Sequence, residues 1–224
     1  SSVTINPISK LHLIDIGQST IGSNDQLEEL IKEKLSFDWE IEISQMLPKN
    51  FDYKSFSDSE NLTIAVREKN CVVDFWPGLV EKIYGVSIDI GSTTLAVNLS
   101  DLQTGEVLVS EGSMNPQIRF GEDLMSRVSY CMLNPGSEKK LTETVRSSIK
   151  QLIMKACETH KIDPEQILEA TVVGNPVMHH LFLGFDPVPL GVAPFKLETS
   201  DSVIELSKNL DLGINENASV YVLP

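Results

Sequence analysis

The sequence predicts an α/β chain in two parts, a small N-terminal α/β module over 1–83 and a larger α/β domain over 84–224. Three observations predict it. Short apolar runs of strand length alternate with amphipathic stretches of helix length. The cluster Trp76-Pro77-Gly78 interrupts the first pattern and marks a boundary. From Tyr84 onward, strand-like runs joined by short turns precede a series of helices.

The first part carries one helix, capped by Ser23-Asn24, with Leu27, Leu30, Ile31 and Leu35 on one face. Strands are expected at Trp39–Ile43, Leu62–Val66 and Cys71–Phe75. The polar stretch Lys54–Glu60 separates two of them, and Lys69-Asn70 is placed for a hairpin turn. No catalytic signature appears here.

In the second part, Tyr84–Ile90 reads as a buried strand, Gly91-Ser92 as a tight turn and Thr93–Ser100 as a second strand. Asp101–Gly105 is a hairpin loop and Glu106–Ser113 a third strand, completing an antiparallel meander. Helices are predicted over Gly121–Leu133 and from a Ser137 cap through Leu141, Val145, Ile149, Leu152 and Ala156. Asp163-Pro164-Glu165-Gln166 has the form of a helix start. Thr171-Val172-Val173 reads as a strand, followed by Gly174 and a helical stretch to Gly184. The final Val220-Tyr221-Val222-Leu223-Pro224 is strand-like, and both ends are expected to continue into a longer protein.

The net charge of −14 and the lack of any Lys/Arg cluster argue against nonspecific nucleic-acid or anionic-membrane binding. Cys71, Cys131 and Cys157 are odd in number and widely spaced, which fits a reducing cytoplasm and excludes a disulfide scaffold. The same spacing excludes an iron–sulfur cluster held by this chain alone. No apolar run reaches the length needed to span a bilayer.

The most informative residues are Asp89-Ile90-Gly91-Ser92-Thr93-Thr94. An acidic residue closes a buried strand, and a glycine opens a hydroxyl-rich turn. Glycine lets backbone amides approach an anion closely, and a concave run of amides binds one. Asp89 cannot bind phosphate itself but can hold Mg²⁺ through water. A plain β-hairpin with Asp and Gly as turn formers explains the hexapeptide alone equally well. The order strand, turn, strand, hairpin, strand and then helices, that of a ribonuclease H-like half-domain, favours a Mg–nucleotide site.

Tyr84–Thr94, YGVSIDIGSTT, resembles the first phosphate motif of the sugar kinase, heat-shock chaperone and actin superfamily. Asn115–Arg127 (NPQIRFGEDLMSR), Val173–Gly184 (VGNPVMHHLFLG) and Ala193-Pro194-Phe195 resemble one family within it, the reductive activators of corrinoid enzymes. Leu62–Gly78 is similar to the small middle domain that precedes the ATPase domain there. The resemblance implies one ribonuclease H-like half of an actin-like ATPase domain. It implies ATP and Mg as cofactors, a corrinoid protein as partner and a homodimer. It implies an ATP-driven transfer of one electron from a 2Fe–2S cluster that returns Co(II) corrinoid to Co(I). By position, Asp89 would bind Mg²⁺ through water, and Gly91, Ser92, Thr93 and Thr94 would cradle the phosphates. Asn175 and His179 would fall near an interdomain cleft. The cluster-bearing domain and the second half of the ATP site are expected outside this chain. A small-molecule kinase of the same superfamily and a non-catalytic docking or dimerisation module are the competing readings.

Other residues have plainer explanations. His179-His180 is expected to be structural rather than metal-binding, since adjacent residues face different sides of a helix. Arg119, Glu122, Asp123 and Arg127 read as a capped, salt-bridged helix start, or as part of a dimerisation or docking surface. Met125, Met132 and Met154 are expected in the core, as are Cys131 and Cys157.

Overall fold

A computed structural model of the chain describes residues 6–17, 21–35, 53, 58–68 and 71–224. The strand expected at Trp39–Ile43, the turn at Lys69-Asn70 and most of Lys54–Glu60 lie outside the described residues. The chain divides into two compact units, Ser1–Ile83 and Tyr84–Pro224.

The first unit contains β1 (Ser9–Asp15), α1 (Asn24–Leu35), β2 (Asn61–Arg67) and β3 (Cys71–Pro77). The strands form an antiparallel sheet in the order β1-β2-β3. Helix α1 starts where Ser23 Oγ accepts from the Gln26 amide at 3.3 Å. It buries Leu27 and Ile31 in a cluster with Ile14, Ile64 and Phe75. Sequence reasoning did not find β1. Its Leu11 and Leu13 carry little strand signal, and the element is defined by its full-length pairing with β2. Trp76 and Pro77 do not break β3, because both still pair with β2. Among the described residues β3 pairs only with β2, and a proline at its last position removes no donor from that pairing.

The second unit contains β4 (Tyr84–Ile90), β5 (Thr94–Asp101), β6 (Val107–Met114), α2 (Leu124–Leu133), α3 (Glu138–His160), β7 (Ile167–Gly174), α4 (Pro176–Leu183), β8 (Val203–Leu206) and β9 (Ser219–Val222). Its sheet runs β6-β5-β4-β7-β9-β8. The β4–β5–β6 meander is antiparallel. On the other side of β4, β7 and then β9 add in parallel, and β8 returns antiparallel as an edge. A meander extended by parallel crossover strands beside its first strand is the ribonuclease H-like arrangement, the topology of one half of an actin-like fold.

The strand alternation decides which side chains point inward. Val86, Ile88 and Ile90 of β4 and Leu95, Val97 and Leu99 of β5 enter the core, while Ser87, Asp89 and Ala96 are exposed. The 23-residue α3 covers the inward face, packing on β5, β6 and α4. It buries Leu141, Val145, Ile149, Leu152, Ile153 and Ala156, as its spacing predicts.

Several local expectations change. Ser137 precedes α3 but makes no side-chain cap, being itself in helical geometry. Asp163-Pro164 opens only one 3₁₀ turn, Pro164–Gln166, because Ile167 and the alternating residues after it pair into β7. The helix expected from Gly121 begins at Leu124, where Asp123 and Ser126 form a reciprocal capping box. Met125 and Met132 are exposed, not core. They flank the buried stripe of Val128 and Cys131 on α2 without joining it, and of the three methionines only Met154 packs against the core. Cys131 and Cys157 are buried, and burial pushes the Cys157 thiol up to about 11, so it stays protonated and inert. Among the described residues, no helix is long and apolar enough to cross a membrane.

Ile149 lies at the centre of the α3 face and is fully buried. Ile149→Ala should lower the unfolding free energy by about 2–5 kcal/mol, measured by urea denaturation. A loss under about 0.5 kcal/mol would contradict this packing.

Candidate functional site

The C-terminal ends of parallel strands in an open α/β sheet are where ligands gather. Here the two central parallel strands end side by side, Ile90 of β4 in register with Gly174 of β7. A Cβ at Gly174 would lie 3.3 Å from both the Ile90 carbonyl oxygen and Met178 Cβ. Glycine there lets the start of α4 sit against the end of β4.

Beyond Ile90 the backbone turns sharply. The Gly91 amide donates to the Thr94 carbonyl at 2.9 Å, closing a four-residue turn with Ser92 and Thr93 at its tip. A Cβ at Gly91 would lie 2.8 Å from the Thr94 oxygen, so the turn closes only around glycine. One of the four amides is thus consumed by the turn itself. Among the described residues, the amides of Ser92 and Thr93 and the hydroxyls of Ser92, Thr93 and Thr94 have no hydrogen-bond partner. Asp89 stands on the exposed face of β4 between Ala96 and Val173, its carboxylate unpaired among the described residues. Asn175 is half-buried, and its Oδ1 accepts from the Met178 amide at 3.0 Å to cap α4. Its Nδ2 has no partner among the described residues. The structure therefore brings Asp89, Gly91–Thr94 and Asn175 to one end of adjacent strands. Free donors beside a free carboxylate are what a phosphate carrying a hydrated divalent cation requires.

A second set of residues was noted in the sequence without its place behind this turn. Asn115, Gln117 and Arg127 are fully buried. Asn115 Nδ2 donates to the Gly91 carbonyl and its amide to the Thr93 carbonyl, both at 2.8 Å. Arg127 donates from its terminal nitrogens to the Ser92 carbonyl and, at 3.3 Å, to Gln117 Oε1. Its Nε donates to the Gly121 carbonyl at 3.0 Å, and Met178 Sδ lies 3.1 Å from its Nη1. These three side chains are buried inside the unit, and among the described residues Arg127 forms no salt bridge. Burial lowers its pKa and Asp123 nearby opposes the shift, yet a guanidinium stays charged. The signal was available: residue 127 falls beside Val128 and Cys131 on the inward side of α2.

The residues around this turn lie inside a match to a known family. Residues 84–224 match the model described as the RACo middle region. The chain belongs to that family. It is 30% identical over 210 residues to the corrinoid activation enzyme RamQ of Eubacterium limosum, covering 88% of this chain and 35% of that protein. It is also similar to a solved structure, the reductive activator for corrinoid, iron-sulfur protein. That match has 26% identity and a TM-score of 0.79, covering all of this chain and 37% of the other. The chain thus spans little more than a third of the length of these relatives.

The His179-His180 pair is buried. His180 Nδ1 lies 2.8 Å from the Pro176 carbonyl, and its Nε2 accepts from the Glu198 amide at 3.0 Å. That pattern requires the neutral Nδ1–H tautomer, which ties α4 to the segment after Ala193-Pro194-Phe195. His179 Nε2 is buried without a hydrogen bond among the described residues. Burial lowers both pKa values most, with the neighbouring imidazole adding to the effect on His179.

A histidine held neutral in the fold destabilises it once the unfolded chain protonates. Stability should therefore be full above about pH 6.5 and fall as pH drops below it. Urea midpoints measured between about pH 7.5 and pH 5.5 should decline less steeply in His179→Gln than in the parent. Equal slopes would contradict this assignment.

Proposed function

We propose that this chain is part of an ATP-dependent reductive activator that returns Co(II) corrinoid proteins to Co(I). The observation that carries the nucleotide part is the Gly91–Thr94 turn, with two amides unpaired beside the unpaired Asp89 carboxylate. The names of the relatives support the corrinoid part.

The residues fit a Mg–nucleotide. The Gly91 cradle has no room for a Cβ, so the backbone can approach a phosphate closely. The Ser92 and Thr93 amides would bind phosphate oxygens, with the hydroxyls of Ser92, Thr93 and Thr94 as further donors. Asp89 would hold Mg²⁺ through its water shell, and Asn175 Nδ2 would donate to the nucleotide from the start of α4. Bound ATP would favour one conformation of the activator over another, which is the means by which a nucleotide drives an uphill step. One electron would reach the cobalt from a 2Fe–2S cluster held outside these residues. A cytoplasmic, homodimeric protein within a corrinoid methyltransferase system completes this reading. Membership in the corrinoid-activator family favours it over a small-molecule kinase of the same fold.

Calorimetric titration of the full-length protein with Mg-ATP, with and without a Co(II) corrinoid protein, tests it. ATP should bind, and the corrinoid protein should associate and yield Co(I) when a donor is present. Nucleotide binding without association or reduction would reject the corrinoid part.

Two substitutions test the site. Gly91→Ala should force the turn open at about 1–3 kcal/mol, weakening Mg-ATP binding about tenfold or more. Asp89→Asn should leave magnesium-free nucleotide binding intact and remove the gain on adding magnesium. Unchanged titrations for both would reject the site.

A further inference from the structure

We infer that Arg127 is a positioning residue for bound phosphate, holding the Gly91–Thr94 turn in its anion-accepting orientation and placing a buried positive charge behind it. This deepens the nucleotide reading proposed above and rests on it.

The orientation follows from the planarity of the peptide unit. In a trans peptide, a carbonyl and the next residue's N–H point in opposite directions. The Gly91 carbonyl is held by Asn115 Nδ2, the Ser92 carbonyl by Arg127 and the Thr93 carbonyl by the Asn115 amide. All three carbonyls are drawn toward the buried segment 115–127. The amides of Ser92 and Thr93 must then face away from it, and they are the two left unpaired. Without these bonds either peptide plane can flip, and a flip would replace a donor with a carbonyl dipole that repels phosphate.

The charge is an independent observation. A buried cation is ordinarily paired with a carboxylate. Arg127 is fully buried, yet among the described residues its partners are two backbone carbonyls, a side-chain amide oxygen and a thioether. Asp123 acts on this charge through space without hydrogen-bonding to it, and the guanidinium lies directly beneath a turn whose outer side presents donors. In a poorly solvated setting such a charge acts over several ångströms with little screening. An anion on the outer side would complete the balance, with the turn as the layer between. Arg127 does not touch that anion, because its own donors are committed to the protein.

The test uses the ¹⁵N-labelled full-length protein titrated with pyrophosphate and with Mg-ADP, observing backbone amides and arginine Nε–H groups by NMR. In the parent, the Ser92 and Thr93 amides should shift on binding. The Arg127 Nε–H should shift with the same titration curve, while that of the exposed Arg119 stays in place. Arg127→Met should weaken binding about tenfold or more, the scale of losing a group that orients a binding shell. Arg127→Lys should recover part of the affinity, since it restores charge without the guanidinium fork. A purely structural arginine would change the melting temperature of both variants and leave the affinities of the folded fraction equal to the parent's. If parent amides shift but Arg127 Nε–H stays still and folded variants bind as tightly, this inference is wrong while the phosphate site stands. If the parent's turn amides do not respond to either ligand, the phosphate site itself is wrong and this inference goes with it. Should neither variant fold, the parent's Nε–H response alone decides.

Discussion

The second unit is organised by the pairing of β4 on both of its edges. Antiparallel β5 occupies one edge and parallel β7 the other. The strand is therefore central, and its inward residues Val86, Ile88 and Ile90 are committed to the core beneath α3. Because side chains alternate, that commitment forces Asp89 to the opposite, exposed face. Parallel pairing with β7 also brings two chain reversals together, the Gly91 turn and the Gly174-Asn175 entry into α4. A carboxylate, a glycine turn and a capped helix start converge there because one strand has no freedom to slip register.

The turn itself depends on a polar network in an otherwise apolar interior. Asn115, Gln117 and Arg127 each fill hydrogen-bonding capacity that would be costly to bury unsatisfied. Gln117 Nε2 donates to the Leu141 carbonyl at 2.9 Å, so the network reaches α3 as well as the turn. Arg127 contacts Met178, extending it to α4. The stretch Asn115–Arg127, which resembles corrinoid activators in sequence, thus lies behind the Gly91 turn. Two motifs far apart in the chain form one assembly.

Most of the ribonuclease H-like pattern was legible because meander strands and amphipathic helices carry strong periodicity. The long α3 followed its apolar spacing, and the turn at Gly91 followed its residue types. Weaker elements were missed where tertiary pairing outweighs local preference. Strand β1 has few β-branched residues and β8 is a four-residue edge, while β7 was found only at Thr171–Val173 because its start follows directly on a Pro-initiated turn. Met125 and Met132 were misplaced because an apolar side chain suggests burial, whereas the face of α2 is chosen by Val128, Cys131 and Arg127. The charged cluster around Asp123 was read as salt-bridged from proximity in sequence, and Arg127 instead turns inward to carbonyl acceptors.

What the sequence by itself determined is the alternation that sends Asp89 outward, the glycine that closes the turn, and the resemblance to corrinoid activators. These are local properties: backbone sterics at one glycine, a period of two along a strand, and residue types in short order. Only the tertiary structure decided that Arg127 and Asn115 stand behind that turn and that Asn175 begins its helix beside it. Those placements depend on which buried acceptors need donors once strands 84–90 and 167–174 have paired. That condition arises from contacts between residues dozens of positions apart, which no local pattern records.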